Sequence, residues 1–302
     1  MKSRAILTGG TGFLGKEILK ALQVTYEVVV IGRGGDAQIV LDLACSVSSD
    51  LPQAELVVHC AGKAHVVPRT KEEEAEFYQV NLEGTKHLCA SIEASGFLPK
   101  RFVFISTVAV YGLDEGEMIA ETHPLNGTTP YAKSKILAEA FLTEWCSARE
   151  IVLLILRLPL IAGPNPPGNL GAMIKGISAG RYLRIGKADA QKSIVWAADV
   201  AQLIAGFDGN SGVYNLTDGV HPSFRDLEIC ISTALGKKEP MWIPMVIARI
   251  IGKAGDMLGS RAPVNTDKLR KITSSLTFDD SKARKEIHWK SSGVIVQLAT
   301  VI

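Results

Sequence analysis

The chain has 302 residues, and its 33 basic and 31 acidic side chains leave a formal net charge of +2. A chain of this length buries a hydrophobic core without disulfides or a structural metal. Because charge is nearly balanced along the chain, we expect no nucleic-acid partner. The five cysteines form no CxxC pair, and no segment approaches the roughly 18 uninterrupted apolar residues of a spanning helix, so we expect a reduced, cytoplasmic protein without stable membrane insertion.

The first half of the chain alternates short β-branched runs with longer helical patterns. The predicted strands are 4–8, 26–31, 38–41, 55–60, 101–106 and 151–156, and the predicted helices are 13–23, 70–94 and 131–149. Near-continuous apolar runs such as IVLLIL indicate strands that are buried on both faces. The alternation therefore predicts an α/β protein with a parallel sheet covered by helices on both sides.

After Arg157 the segment LPLIAGPNPPGNLG is rich in proline and glycine, so we expect no long helix or strand there. We expect a first domain over residues 1–160, with returns to it near 192–216, and a smaller mixed region over 161–302. The predicted helices of this second half are 170–179, 197–207, 223–235, 243–258 and 279–287, and its predicted strands are 193–196 and 212–216.

The segment at 243–259 is unusually apolar and carries two basic residues one turn apart. Its pattern predicts an amphipathic helix whose apolar face packs against a core. A peripheral membrane contact through the same face is the alternative. The apolar positions are Val246, Ile247, Ile250, Ile251, Ala254 and Leu258.

The stretch TGGTGFLG places Gly9, Gly12 and Gly15 directly after the strand RAILT and directly before a helical pattern. Glycine suits these positions for separate reasons: a tight turn, close approach of the backbone to a pyrophosphate, and close packing of helix on strand. The N-terminus of the helix then presents free N–H groups to phosphate charge. The loop is therefore a candidate dinucleotide site.

This GxxGxxG spacing resembles that of the extended short-chain dehydrogenase/reductase superfamily, and in particular the NAD-dependent epimerase/dehydratase family. The resemblance covers essentially the whole chain. It implies a Rossmann-like doubly wound sheet followed by a smaller substrate domain. It also assigns the glycine loop to the cofactor, through Gly9, Thr11, Gly12, Phe13, Leu14 and Gly15.

The same resemblance implies a catalytic triad of Ser106, Tyr131 and Lys135. Ser106 follows the apolar run RFVFI, and Tyr131 and Lys135 lie in PYAKSK, four residues apart and hence on one face of a helix. A free tyrosine has a pKa near ~10, and a fixed ammonium nearby would lower it to a useful range. Ser106 would orient the reacting oxygen toward Tyr131, and Lys135 would also hold the nicotinamide ribose.

Further positions match the family around the cofactor. Asp42 and Leu43 would reach the adenine ring, Ala61 and Gly62 would line the dinucleotide, and Pro159 would lie by the nicotinamide amide. Asn81 would brace the sheet. His59 and His65 lie six residues apart, but no third ligand follows at metal spacing, so we expect a packed histidine and a pocket-lining one and no metal.

The end of the second strand decides which dinucleotide is expected. An acid at this position binds both ribose hydroxyls of NAD, whereas a 2′-phosphate requires a cation. Here Ile31 and Gly32 are followed by Arg33, which supplies a planar, permanent charge suited to phosphate. The substitution favours NADP over NAD, the alternative being that Arg33 stacks on the adenine or points to solvent.

The second half resembles domains that act on nucleotide-diphosphate sugars. Substrate contacts are expected from Ser106, Thr107, Arg181, Lys187 and Arg261, the three basic groups meeting the diphosphate. Sugar 4,6-dehydratases carry an Asp-Glu pair after the serine position, and this chain lacks it. The expected reaction is the NADPH-dependent reduction of a 4-keto nucleotide sugar, as in polysaccharide biosynthesis, with Tyr131 as the proton donor.

Three alternatives remain open at this stage. They are an NAD-dependent nucleotide-sugar 4-epimerase, a steroid or flavonoid ketone reductase, and a protein of another class that senses dinucleotides without catalysis. Such sensors typically lack the tyrosine. The family often pairs through the helices at 70–94 and 131–149, so the resemblance also implies a homodimer.

Overall fold

The computed structural model describes residues 2–64, 66–256 and 266–302. Its centre is a parallel sheet in the order β11-β7-β5-β4-β1-β2-β3. These strands are β1 (Arg4–Thr8), β2 (Glu27–Gly32), β3 (Ile39–Val40), β4 (Leu56–His59), β5 (Arg101–Thr107), β7 (Val152–Leu158) and β11 (Gly212–Asn215). The α/β prediction and the Rossmann-like strand order are therefore confirmed.

Helices cover both faces of this sheet because its strands are apolar on both sides. One apolar core lies between the sheet and helices α1 (Phe13–Thr25) and α6 (Ala197–Gly206). A second core lies on the other face, against α3 (Gly84–Ala94) and α4 (Pro130–Ser147). Alternate residues of β5 serve the two cores, since Val103 and Ile105 belong to the first and Phe102 and Phe104 to the second.

The predicted helix at 70–94 is interrupted. It divides into α2 (Lys71–Tyr78), a π-helical turn (Gln79–Glu83) and α3. Such turns occur frequently at functional sites. Asn81 lies in this turn and is buried.

The rest of the chain forms small sheets and helices beside the main sheet. The paired strands are β8 (Leu160–Ala162) with β10 (Ile194–Trp196), β9 (Leu183–Ile185) with β12 (Met241–Ile243), and β6 (Gly116–Ile119) with β13 (Leu276–Phe278). The helices are α5 (Gly168–Ser178), α7 (Phe224–Ala234), α8 (Met245–Asp256), α9 (Thr266–Thr273), α10 (Ser281–Glu286) and α11 (Val294–Val301). Because β11 pairs with β7, the chain joins the main sheet again at Gly212–Asn215. The division into domains, with its boundary at residue 160, stays a prediction.

The expectation for the face of α8 is wrong. The described residues of its apolar stripe, Val246, Ile247, Ile250, Ile251 and Ala254, are exposed, whereas the helix packs through Ala248, Gly252 and Gly255. Leu258 lies outside the described residues. Within the described ranges, we find no helix with both the length and the apolarity to cross a bilayer.

Candidate active site

The glycine loop lies at the carboxyl end of β1, where the strand order reverses between β1 and β4. Gly9 has φ +73°, and a Cβ on it would lie 2.6 Å from the backbone nitrogen of Ala61. A Cβ on Gly15 would lie 2.0 Å from the carbonyl oxygen of Gly9. Both positions therefore require glycine. Gly12 caps α1 without a side-chain hydrogen bond, so the N-terminus of the helix is free to receive a phosphate.

The remaining residues expected at the loop differ in how they could serve a cofactor. Thr11 is exposed, Phe13 is half-buried, and Leu14 is buried in the core beneath the sheet. Leu14 can therefore contribute only backbone. Ala61 and Gly62 lie just beyond β4, after Cys60, and a Cβ on Gly62 would lie 3.0 Å from Asn81 Oδ1. The open cradle between two strand ends fits a dinucleotide.

A chain of hydrogen bonds runs from the end of β1 to Asn81 through the buried His59. Thr8 Oγ1 lies 2.7 Å from His59 Nδ1, and His59 Nε2 lies 2.9 Å from Thr85 Oγ1. The Thr85 hydroxyl donates to the Asn81 carbonyl oxygen at 2.7 Å, so it accepts from Nε2–H of His59. Burial first, and the Lys135 charge second, lower the pKa of His59 to about 3, which keeps the ring neutral.

Asn81 carries this chain onward to the helix of Tyr131. Its Oδ1 accepts from the Lys63 backbone N–H at 2.8 Å, and its Nδ2 donates to Ser134 Oγ at 3.0 Å. The Ser134 hydroxyl in turn donates to the carbonyl oxygen of Tyr131 at 2.8 Å. Asn81 thus links the loop after β4 to the first turn of α4.

Tyr131 and Lys135 lie one turn apart at the start of α4. Thr129 caps this helix, accepting from the Ala132 backbone N–H at 3.1 Å, and Pro130 takes its first position. Burial raises the pKa of the Tyr131 phenol, while its hydrogen bond with the Thr107 side chain acts in the opposite direction. Burial therefore has the largest effect on this pKa, and not the lowering that was expected from the Lys135 ammonium.

The Lys135 amine is buried and has its own partners. It donates to the carbonyl oxygen of Ile105 at 2.8 Å and lies 4.5 Å from the centre of the Phe104 ring. Burial lowers its pKa to about 8, against the opposing effects of Cys60 and Glu139. A Cβ on Gly62 would come within 3.4 Å of the Lys135 amine, so the amine borders the expected cofactor cradle.

Ser106 does not face Tyr131 as expected. Its side chain is 3% exposed, and its hydroxyl donates a hydrogen bond to the Glu139 carboxylate. Thr107, the next residue, supplies the hydroxyl that interacts with Tyr131. Ser106 follows Phe102 and Phe104 in pointing to the α4 side of β5, where Glu139 meets it. The Ser106 hydroxyl is thus directed at Glu139, and the catalytic role expected for it stays a prediction.

A buried polar network lies behind Ser106, and it is not predicted from the sequence. Arg157 Nη2 donates to Glu139 Oε2 at 2.7 Å, and Arg157 Nη1 donates to the Tyr111 hydroxyl at 3.2 Å. The Tyr111 hydroxyl donates to Asn215 Oδ1 at 2.7 Å. One signal was available: Glu139 follows Lys135 by four residues, so a charge is aimed at the sheet on the same helix face.

The residues expected around the adenosine end lie beyond the carboxyl ends of β2 and β3. Arg33 directly follows β2 and is exposed. Asp42 is half-buried and accepts from the Ala44 backbone N–H at 3.1 Å, whereas the Leu43 side chain belongs to the core. At the other end of the expected cofactor, Pro159, the residue assigned to the nicotinamide amide, is half-buried in the single-residue link between β7 and β8.

Of the three basic residues expected to contact the substrate diphosphate, two are among the described residues. Arg181 and Lys187 are exposed and flank β9 on either side. Arg261 and His65 lie outside the described residues. Among the described residues, no group of three His, Cys, Asp or Glu side chains could hold a metal ion.

The reversal of strand order, the glycine cradle and the Tyr131–Lys135 helix define an enzyme of the extended short-chain dehydrogenase/reductase type. The family comparison agrees with this class. The chain belongs to the NAD dependent epimerase/dehydratase family, whose model matches residues 5–207.

Relatives of known activity extend over most of the chain. It is 28% identical to the N-acetyl-α-D-glucosaminyl-diphospho-ditrans,octacis-undecaprenol 4-epimerase of Escherichia coli O157:H7, over 93% of this chain and 89% of the relative. It is 26% identical to UDP-glucose 4-epimerase of Vibrio cholerae, over 96% and 91% respectively. It is 29% identical to GDP-6-deoxy-D-mannose reductase of Pseudomonas aeruginosa, over 75% and 78%.

Solved structures share the fold and differ in the dinucleotide they hold. UDP-glucuronic acid 4-epimerase of Bacillus cereus, in complex with UDP-glucuronic acid and NAD, matches with a TM-score of 0.77 at 18% identity, covering 99% of this chain and 98% of that one. A human epimerase family protein with NADPH matches with a TM-score of 0.74 at 18% identity, with the same coverage of 99% and 98%. NAD and NADPH therefore both occur on this fold.

Proposed function

We propose that the protein is an NADPH-dependent reductase that acts on the 4-keto group of a sugar joined to a diphosphate. The observation that carries the choice of cofactor is Arg33, an exposed cation directly after β2, where an acid would favour NAD. A guanidinium pairs well with a phosphate on the ribose. Gly34 and Gly35 follow, and a Cβ on either would meet nothing within 4 Å, so the turn has open space.

Tyr131 is in the state that a proton donor requires. Since burial raises the pKa of its phenol, the hydroxyl keeps its proton at neutral pH and is ready to donate it. When bound, the reduced nicotinamide supplies the hydride. Thr107 then holds the carbonyl oxygen of the sugar beside the phenol, which is the role that the family resemblance implies for Ser106.

Lys135 has two roles in this proposal. With a pKa of about 8 it is largely charged at neutral pH, and its position against Gly62 suits a hydrogen bond to the cofactor ribose. As the phenol gives up its proton, the nearby ammonium would stabilise the negative charge that forms. Ala61, Pro159 and the Asp42–Leu43 backbone complete the proposed cofactor contacts.

The substrate class follows from what the relatives act on according to their names. The sugar is joined to a diphosphate in each case, carried by a nucleoside in two relatives and by a polyprenol in one. We therefore assign a sugar diphosphate to this chain, with a nucleotide sugar as the first candidate. Arg181, Lys187 and Arg261 would meet its diphosphate.

The second candidate is an NAD-dependent 4-epimerase. It is favoured by the two full-length relatives, which are both 4-epimerases. An epimerase oxidises C4 and reduces it again, so the dinucleotide is not consumed. A reductase consumes one NADPH for each product formed.

Cofactor consumption distinguishes these candidates. The enzyme is incubated with NADPH and a UDP- or dTDP-4-keto-6-deoxy sugar, and separately with UDP-glucose and NAD. The proposal expects stoichiometric loss of NADPH absorbance in the first reaction. Interconversion of UDP-glucose and UDP-galactose without net change in NAD would instead establish the epimerase.

Replacing Tyr131 separates an enzyme from a dinucleotide sensor. We expect Tyr131→Phe to lower kcat by at least about a hundredfold, because the proton donor is lost. NADPH binding, followed by thermal shift, should be retained because the glycine cradle is intact. A variant that keeps full turnover would exclude this tyrosine as the donor. Replacement of the exposed neighbour Lys133 by alanine is the matched control.

A further inference from the structure

We propose that α8 and the adjoining β12 form a membrane-docking face, which lies in the headgroup region of an anionic phospholipid bilayer. This inference concerns a surface and not the reaction, so it holds for the reductase and the epimerase alike. The docking face is defined by Leu183, Met241, Trp242, Val246, Ile247, Ile250 and Ile251.

Helix α8 is amphipathic, but its large apolar side chains face solvent and its small residues face the protein. Its underside packs through the small residues Ala248, Gly252 and Gly255. Val246 and Ile250, by contrast, are 67% and 64% exposed. At 100° per residue, the four large apolar positions span an arc of about 140° on the outer side. The small underside lets the helix lie close to the body, and the large residues project outward.

Strand β12 extends the apolar surface. Met241 is 74% and Trp242 is 59% exposed, and Met241 pairs in register with the exposed Leu183 of β9. Only Pro244 separates β12 from α8. Single exposed apolar residues are normal on proteins, but several large ones on adjoining elements indicate an interaction surface.

The charge around the docking face is mainly basic. Among the described residues, four exposed basic side chains occur on the segments that form or flank it and have no other assigned role: Lys237, Lys238, Arg249 and Lys253. Among nearby acids, Glu239 is paired with Arg184 at 2.8 Å, and Asp256 accepts hydrogen bonds from Thr266. Basic groups beside an apolar helix face are attracted to anionic lipid headgroups.

A bilayer fits this arrangement better than a second copy of the chain. Arg249 and Lys253 lie along one edge of the apolar stripe, from which long side chains can reach headgroups while their stems cover apolar surface. Trp242 has the amphipathic ring that is enriched at membrane interfaces. A two-fold contact through the same face would instead bring basic edges together, because such an interface places one patch on its own copy.

Trp242 reports directly on docking. The protein has four tryptophans, and Trp145, Trp196 and Trp289 are buried, so Trp242 alone is exposed. Adding vesicles of phosphatidylcholine with phosphatidylglycerol should shift its emission to the blue and protect it from iodide. The protein should also sediment with these vesicles, more weakly at high salt and with phosphatidylcholine alone.

A matched pair of variants tests the face itself. We expect Ile247→Asn combined with Ile250→Asn to weaken vesicle partitioning at least about tenfold. The control, Val24→Asn with Val296→Asn, changes apolar residues that are at least as exposed, on α1 and α11, and should bind like the parent protein.

Two results would overturn the proposal. One is that the parent protein neither sediments with anionic vesicles nor changes its emission. The other is that Trp242 is already protected from iodide without lipid, in a dimer that the Ile247→Asn, Ile250→Asn variant dissociates. That second result assigns the face to a second copy of the chain. Because no assay here requires turnover, failure of docking is distinguishable from failure of the proposed reaction.

Discussion

The hydroxyl of Ser106 donates a hydrogen bond to the buried carboxylate of Glu139, two turns beyond Tyr131 on the same helix. The residue expected to touch substrate is therefore tied into the protein interior. Thr107, its neighbour, interacts with the phenol instead. The two adjacent hydroxyls thus differ in their partners, and we propose that they differ in their roles.

Substituting each hydroxyl in turn tests this division. Ser106→Ala should cost about 1 kcal/mol of stability through a lost hydrogen bond and leave kcat within a few-fold. Thr107→Val should lower kcat by about tenfold to a hundredfold, because the carbonyl oxygen loses a partner. Thr107→Ser, which keeps a hydroxyl that can accept the hydrogen bond from the Ala109 N–H, is the control. The reverse order of effects on kcat would return the role to Ser106.

The ion pair behind Ser106 predicts a large stability effect. Arg157 Nε lies 3.2 Å from each Glu139 oxygen, and both side chains are almost fully buried. Removing one partner leaves a buried charge without compensation, so Glu139→Gln should lower the free energy of unfolding by about 3 kcal/mol. Denaturant unfolding measures it.

Replacing both partners is the matched control for the ion pair. Glu139→Gln with Arg157→Met removes both charges, so it should recover part of the lost stability. A single variant as stable as the parent protein would contradict the prediction.

Much of the sheet could be predicted because its strands are apolar on both faces. The predicted strand 4–8 and the observed β1 coincide, and the predicted 131–149 differs from α4 by one or two residues at its ends. The short pairs β9–β12 and β6–β13 were missed, since runs of three or four residues carry no clear period. Their partners lie far apart in the chain.

The site was less predictable because it depends on side-chain direction. Two hydroxyls in succession end β5, and the sequence cannot say which of them meets the tyrosine. For α8 the sequence predicts the apolar stripe correctly, but the stripe faces solvent and not a core. Ala248, Gly252 and Gly255 were the available signal, since small residues permit close packing of a helix. Apolarity alone does not distinguish a core face from a docking face.

Arg33 is the position at which the cofactor preference can be tested. Arg33→Asp should weaken NADPH binding at least about tenfold, because a carboxylate repels the 2′-phosphate, and should leave NADH binding equal or tighter. Affinities come from calorimetric titration of both dinucleotides. Arg225→Ala, which changes another exposed arginine, is the control and should alter neither. A parent protein that binds NADH more tightly than NADPH would exclude the proposed preference.

His59 should make stability depend on pH in a defined window. Its pKa is lowered from 6.5 to about 3 in the folded protein, so between these values the unfolded chain binds a proton that the folded chain does not. Stability therefore falls as pH drops from about 6.5 toward 3, by about 1.4 kcal/mol for each pH unit from this group. His59→Gln should reduce this slope in denaturant unfolding at several pH values.

The matched control for His59 is His288, which is exposed and lies outside the hydrogen bonds that run from Thr8 to Asn81. His288→Gln should accordingly leave the slope unchanged. If His59→Gln does not fold, the imidazole nitrogen shifts of the parent protein decide instead: they should show the neutral Nε2–H form down to pH 5, as the bond to Thr85 requires. A His59 ring that protonates near pH 6 would mean that the chain from Thr8 to Asn81 does not hold the ring as described.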